Sequence, residues 1–326
     1  MNYIKLNKTD LVVSPICLGT VNFGTTLSAE ESKAQLTKFV ENGGNIVDTA
    51  HVYGNWDSKV DSISERIIGD WFEETGLRKK VILATKGAHP LWGHMDIPRV
   101  NKKDINHDLN ESLEYLKTDY IDIYFLHRDD VNTPVSEIME CLDEARKAGM
   151  IRYYGCSNWT LPRIKEAQKY CEEHGLQGFT FNQLMWSLAD INFYNLPDKT
   201  FILMDDETRE YHKQTGMNAM AYMSIAKGYF ERRASGEKLP ASVVDVYENK
   251  TNDEIYNVAK EVVSEGMYSY MDLSYMYIMG EEAFCSIPLA SFDNVEQLVV
   301  AINCLNKTIP KDIIKKFSSA KQYVYR

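Results

Sequence analysis

Short apolar runs rich in β-branched and aromatic residues alternate along the chain with longer segments of helical periodicity. Eight such runs stand out: PICLGT (15–20), NIVDTA (45–50), VILATK (81–86), YIDIYFLH (120–127), IRYYGCSN (151–158), FTFNQLMW (179–186), NAMAYMSI (218–225) and AFCSIPLA (283–290). Most are apolar on both faces, as parallel strands covered on both sides must be. The segments between them carry helix signals. Ser28 and Glu31 form a capping box, Leu36, Phe39 and Val40 give an apolar stripe, and Gly43-Gly44 ends it. Segment 104–117 places Ile105, Leu109, Leu113 and Leu116 on one face, and segment 136–148 runs from Ser136 through Ile138, Leu142 and Ala145 to Gly149.

A strand followed by a helix, eight times over, predicts an α/β fold of the (β/α)₈ TIM-barrel type. An open doubly wound sheet would need a G-x-G-x-x-G turn after an early strand, and the sequence has none. YIKL and LVV about an Asn-Lys-Thr-Asp turn read as an N-terminal hairpin plugging the barrel's far end. No repeat, linker or charge block divides the chain, so residues 1–326 are read as one domain. The segments 87–103 and 187–203 exceed ordinary loop length and follow strands, which makes them expected walls of a substrate site.

Charge and cysteine usage narrow the function classes. Lys and Arg number 36 against 47 Asp and Glu, a net charge of -11, which argues against binding nucleic-acid phosphates. No apolar run is long enough to span a membrane and no signal peptide is visible, so a cytoplasmic location is expected. Cys17, Cys141, Cys156, Cys171, Cys285 and Cys304 are scattered, with no C-x-x-C pair, and read as small buried hydrophobes rather than disulfides or metal ligands. Sequons such as those at Asn7, Asn158 and Asn306 carry no message in a cytosolic chain.

Reactive groups of a barrel sit at the carboxyl ends of its strands. Those ends carry Asp48, Lys86 and His127, with Tyr53 close behind Asp48. Singly, each has an ordinary explanation: a capping Asp, a surface Lys, a core-edge His, a packed Tyr. Four titratable groups on one face are more than packing requires, and together they suit carbonyl reduction. Hydride addition to C=O leaves an alkoxide that needs a proton donor. A phenol of pKa near ~10 is too weak unless helped, and an ammonium about 4 Å away contributes up to ~4 kcal/mol, roughly three pKa units. Asp48 would hold the Lys86 ammonium, and His127 would orient the carbonyl. The protein supplies no hydride itself, so a nicotinamide cofactor is implied.

The string NIVDTAHVYGN (45–55) resembles the Asp-Thr-Ala…Tyr-Gly motif of the aldo-keto reductases. The resemblance continues through ATK (84–86), YIDIYFLH (120–127), GMIRYYGCSNW (149–159), NQ (182–183) and SIPLAS (286–291), covering nearly the whole chain. It implies a (β/α)₈ barrel, a nicotinamide extended across its mouth, and a Tyr53-Asp48-Lys86-His127 tetrad. Ser157, Asn158 and Gln183 match the carboxamide-holding residues, Tyr222 the ring that stacks on the nicotinamide, and Gly19 and Thr20 a backbone contact near its ribose. Ser224, Lys227, Ser291 and Gln297 complete the expected cofactor set.

Departures cluster at the adenosine end. Tyr222-Met223-Ser224-Ile225 lacks the family's proline. After Pro288 the chain offers Leu289, Ala290, Ser291, Phe292, Asp293 and Asn294, where NADP-preferring members place Lys or Arg. Asp293 would instead suit a ribose hydroxyl. The family's adenine-facing Glu-Asn pair falls on Val300 and Ala301. Lys227 is a candidate phosphate partner. Family habit favours NADP(H) and local chemistry NAD(H); the balance falls narrowly to NADP(H).

For the substrate, Arg128 and Asp129 follow the catalytic His. Loop 87–103 adds His89, Trp92, His94 and Arg99, while Phe23, Trp56 and Trp186 lie near strand ends. Aromatic faces among carboxylates and imidazoles suit a small carbonyl or sugar-like ligand; the plain alternative is that Arg128 and Asp129 only pair with each other. Substrate contacts are expected from Phe23, Trp56, Trp92, Arg128 and Asp129, and no metal, since His89-x₄-His94 is not ligand spacing. Two other readings stay open: a cofactor-sensing regulatory subunit with little turnover, and non-redox sugar chemistry in the same mouth.

Overall fold

A computed structural model describes residues 1–305, 307 and 310–321, so the sequon at Asn306 lies outside the described residues. All eight apolar runs form strands, and each pairs in parallel with its neighbours because helices return the chain to the same end. They are β3 (Cys17–Gly19), β4 (Ile46–Asp48), β5 (Ile82–Gly87), β6 (Ile121–Leu126), β7 (Ile151–Ser157), β8 (Phe181–Met185), β9 (Asn218–Tyr222) and β10 (Ser286–Ala290). Pairing of β10 with β3 closes the barrel. The expected hairpin is also present: β1 (Ile4–Lys5) pairs antiparallel with β2 (Val12–Val13). Its Leu6, Leu11 and Val13 join Cys17, Ile46, Ala84, Ile123, Phe125, Phe181, Met220 and Ile287 in one buried cluster, so the hairpin seals the far end of the barrel interior.

The first helices follow their sequence signals. Ser28 and Glu31 cap α1 (Ala29–Glu41) reciprocally, and α2 (Ile63–Thr75) covers the next crossover. The segments expected at 104–117 and 136–148 are α3 (Lys102–Tyr115) and α4 (Val135–Lys147), each beginning slightly earlier than predicted. Asn101 caps α3, and Pro134 precedes α4, where a missing N–H costs nothing. Next come α5 (Leu161–His174) and α6 (Asp206–Thr215). Four helices then separate the last two strands: α7 (Tyr229–Ser235), α8 (Ala241–Tyr247), α9 (Lys250–Ser264) and α10 (Tyr270–Met279). The strand–helix alternation did not foretell this insertion. α11 (Val295–Cys304) and α12 (Lys311–Ala320) complete the described helices, and none of them is long and apolar enough to cross a membrane.

The two-residue period of the strands decides what reaches the barrel mouth. Ile46, Ala84, Phe125, Phe181 and Met220 point inward and fill the interior. Two residues later on the same strands, or just past them, come Asp48, Lys86, His127, Gln183 and Tyr222. Polar groups therefore cap an apolar plug at one level. Gly155 on β7 makes room for that plug: a Cβ there would lie 2.8 Å from a Phe125 ring carbon and 2.6 Å from the Phe181 carbonyl.

Candidate active site

Lys86 is the hub of the mouth. Its Nζ donates to Asp48 Oδ2 at 2.6 Å, to the Thr49 carbonyl at 2.6 Å and to Tyr53 Oη at 3.1 Å. The other Asp48 oxygen accepts from Gln183 Nε2 at 2.7 Å. Both carboxylate oxygens face donors, so the pair is ionic. Burial works against the Lys86 charge, but Asp48 and Tyr53 outweigh it and hold the ammonium above its ordinary pKa. Burial raises Asp48, and Lys86 and Gln183 offset part of that rise. Behind the pair, Thr20 donates its backbone N–H and hydroxyl to the Asp48 carbonyl, both at 3.0 Å.

The expected depression of the Tyr53 phenol is not what the site produces. Burial pushes Tyr53 up by more than Lys86 brings it down, so the net direction is upward. The sequence estimate counted the ammonium and omitted desolvation of the phenolate. Beside it stands His127, its ring edge-on at 5.9 Å between centroids. Burial, reinforced by His89, Arg128 and Lys86, drives His127 well below its ordinary pKa, so the imidazole is neutral.

Tyr53 and His127 form the floor of a cleft of about 760 Å³. One wall carries Gly19, Thr20, Ser157, Asn158, Gln183, Tyr222, Ser224, Lys227 and Ser291, a set that the sequence scattered over five strand ends. Tyr222 Oη donates to Asn158 Oδ1 at 2.6 Å, which fixes its half-buried ring on the wall. Ser224 donates to the Leu289 carbonyl at 2.9 Å. A Cβ at Gly19 would lie 2.7 Å from Ser291 Oγ and 2.9 Å from a Leu289 methyl, so a side chain there would crowd the trough between β3 and β10. Met223, Ala226 and Lys227 all take left-handed φ values, an arrangement that leaves Lys227 exposed at the far end of the cleft.

The opposite rim is aromatic. Trp56 stacks obliquely on Trp92 with centroids 5.9 Å apart, and both line the cleft with His89 and Arg128. The long loop 187–203 supplies Asn195, Leu196, Pro197 and Phe201, as its length suggested. Ser242, Asp245, Val246 and Tyr247 add a wall from α8 that the sequence reading missed; no motif marks it, only the absence of any strand between 226 and 282.

A family model described as the aldo/keto reductase family matches residues 15–322. The chain belongs to the aldo/keto reductase family. Similar proteins include an uncharacterized oxidoreductase, YrpG, of Bacillus subtilis, 35% identical over 58% of this chain and 59% of that protein. Norsolorinic acid reductase B of Dothistroma septosporum is 30% identical over 71% of this chain and 58% of its own length. Protein tas of Escherichia coli is 24% identical, covering 100% of this chain and 99% of tas. The chain spans under three-fifths of the length of the first two relatives.

Several residues that the family resemblance or the strand ends had nominated lie elsewhere. Phe23 is in the core with Leu27 and Ile67, because the turn after β3 folds it inward. Asp129 is not at the cleft: it pairs with Arg163 at 3.1 Å, while Arg128 pairs with Asp198 at 3.0 Å, so the two neighbours do not pair with each other. Arg99 turns away from the substrate side and grips Asp108 at 2.6 Å. Trp186 is buried on the wall of a second cavity, with Asp190 and Lys321. Gln297 is exposed on α11, its Oε1 accepting from the Asp293 N–H at 3.0 Å, and neither residue lines the cleft. Of the positions matching the family's adenine pair, Ala301 is buried in the core and Val300 is exposed.

Proposed function

We propose that this aldo/keto reductase interconverts a small-molecule carbonyl (aldehyde, ketone or sugar) and the corresponding alcohol with NAD(P)H, Tyr53 being the proton donor. The observation that carries the reading is the contact of Lys86 Nζ with both Asp48 and Tyr53 Oη at the floor of the cleft. The residues along the wall fit a nicotinamide dinucleotide: a trough kept open by Gly19, an aromatic ring at Tyr222, amides at Asn158 and Gln183, and a cation at Lys227. When bound, that group supplies the hydride.

The chain's own residues then handle charge and proton. A Tyr53 phenol held above its ordinary pKa is protonated at neutral pH, so a proton is ready beside the carbonyl oxygen. As negative charge grows on that oxygen, the Lys86 ammonium, in hydrogen-bond contact with Tyr53 Oη, stabilises the phenolate left behind. Asp48 keeps that ammonium in place and charged. The neutral His127 donates a hydrogen bond that orients the carbonyl without competing to protonate it. The apolar plug beneath gives these groups a base of low dielectric, which strengthens each of these interactions.

NADP(H) is favoured over NAD(H). Lys227 lines the cleft, so a cation absent after Pro288 is supplied from the turn after β9. The reductase name of the Dothistroma relative agrees with carbonyl reduction. Tyr53→Phe tests the reading: turnover should fall ~10²–10⁴-fold with nucleotide affinity retained. Turnover surviving in that variant would refute the role of Tyr53. Nucleotide binding with no turnover on any carbonyl would move a regulatory role forward, and product formed without nucleotide a non-redox one.

A further inference from the structure

His89 lies on the loop after β5 and lines the cleft, with its ring centroid 4.7 Å from that of His127. A group meeting His89 is therefore one or two carbons from a carbonyl held by Tyr53 and His127. Its Nδ1 is 2.7 Å from the Pro90 carbonyl, which only accepts, so Nδ1 carries the ring's proton. Burial, with the Arg128 charge adding to it, holds the His89 pKa at about 4. The ring is neutral at physiological pH, and its Nε2 is an acceptor.

That acceptor is held in place before any ligand arrives. Ala88 adopts a left-handed φ of 59° and donates its N–H to Asp108 Oδ2 at 2.8 Å. Arg99, doubly bonded to the same carboxylate, donates to the His89 carbonyl at 3.1 Å. These bonds hold the backbone on both sides of His89 and so aim the loop that carries it.

Next to His89 the cleft is lined by a donor. Arg128 Nη1 donates one N–H to the His127 carbonyl at 2.8 Å and Nη2 one to Asp198 at 3.0 Å, which leaves each of these nitrogens a second N–H to offer. The guanidinium charge is balanced by Asp198. The subsite thus presents an uncharged acceptor and a charge-compensated donor side by side.

We propose that His89 and Arg128 form a hydroxyl-recognition subsite, through which the cleft selects carbonyl compounds bearing a hydroxyl on the neighbouring carbon over those bearing only hydrogen there and those in which that carbon is a carboxylate. A hydroxyl both donates and accepts, so it satisfies His89 Nε2 and the guanidinium together. A carboxylate only accepts; it turns lone pairs against Nε2 and meets an arginine already neutralised. A plain alkyl or aryl carbonyl leaves both groups unanswered. The inference rests on the carbonyl-reduction reading of the same cleft.

Two matched triplets test it with NADPH: acetone, hydroxyacetone and pyruvate, and acetophenone, 2-hydroxyacetophenone and phenylglyoxylate. Hydroxylated members should exceed the other two by about tenfold or more in kcat/KM, as expected for a site built to bond the group. His89→Phe should reduce kcat/KM for the hydroxylated members at least about fivefold more than for the plain ones, chiefly through KM, and His89→Gln, which keeps an acceptor, should recover part of the preference. Equal kcat/KM across a triplet in the wild type, or a preference untouched by His89→Phe, overturns the subsite and leaves carbonyl reduction standing. Turnover of none of the six overturns the carbonyl-reduction reading itself, and the subsite with it. The wild-type ranking decides the matter even where a variant fails to fold.

Discussion

Lys86 and Asp48 form a fully buried ion pair, Nζ to Oδ2 at 2.6 Å, and the stability of the barrel mouth depends on both partners being present. Lys86→Met leaves a buried carboxylate with Gln183 as its remaining side-chain donor, and should cost about 3–5 kcal/mol in unfolding free energy. Combining it with Asp48→Leu should restore much of that stability while turnover stays lost. Urea denaturation of the two single variants and the double variant checks this; additive losses would show that the charges are not compensating each other.

The directions of the Tyr53 and His127 shifts set the pH profile of reduction. Tyr53 is the acid and its pKa is raised, so its proton is present throughout the neutral range and is lost only in strongly alkaline solution. His127 is held well below its ordinary value, so it does not charge near pH ~6.5 as a free imidazole does. The measured kcat/KM for carbonyl reduction should therefore be level from about pH 6 to 9. A step centred near pH ~6.5 would mean that His127 is charged in the working enzyme.

Away from the cleft, His212 provides a stability test. It is fully buried, with Nδ1 donating to the Met217 carbonyl at 2.9 Å and Nε2 placed to accept from Asn182 at 3.2 Å. Burial lowers its pKa to about 4. The unfolded chain takes up a proton as pH falls below ~6.5, and the native chain does so only near pH 4. The histidine's stabilising contribution is complete above ~6.5, shrinks as pH falls, and levels off below about 4, a loss on the order of 3 kcal/mol. The difference in unfolding free energy between the wild type and His212→Gln should narrow over that window. A constant difference would exclude the linkage.

Much of this was legible in the chain. Both-faced apolar runs such as YIDIYFLH specify buried parallel strands, and a strand's period of two places Lys86 above Ala84 without any knowledge of loops. Tyr53, Asp48, Lys86 and His127 do converge. Loop side chains were less legible because their direction depends on single dihedral angles. The left-handed Ala88 sets the course of the loop that presents His89, and no periodicity records that φ. Arg128 and Asp129 looked like partners in sequence, yet their counter-charges, Asp198 and Arg163, come from 70 and 34 residues away. The wall from α8 was invisible for a related reason: amphipathic helices inserted between strands carry no mark of which cleft they will border.

Nucleotide choice should depend on Lys227. Lys227→Glu reverses an exposed charge at the far end of the cleft, where Asp245 also lines the wall. Its NADPH affinity should drop by about tenfold or more, with a smaller loss for NADH, and added salt should blunt the difference. Quenching of the five tryptophans provides the readout. Equal losses for both nucleotides would show that Lys227 does not discriminate the 2′-phosphate.

The N-terminal hairpin has a kinetic consequence. With Leu6, Leu11 and Val13 wedged into one end of the barrel, the reactive floor meets solvent through the cleft at the other end. Two ligands sharing such a vestibule cannot come and go independently. Whichever lies deeper must arrive first and depart last, so turnover on this scaffold is expected to follow a compulsory sequence. The departure of the inner ligand, queued behind the outer one, is then the natural bottleneck at saturating substrate.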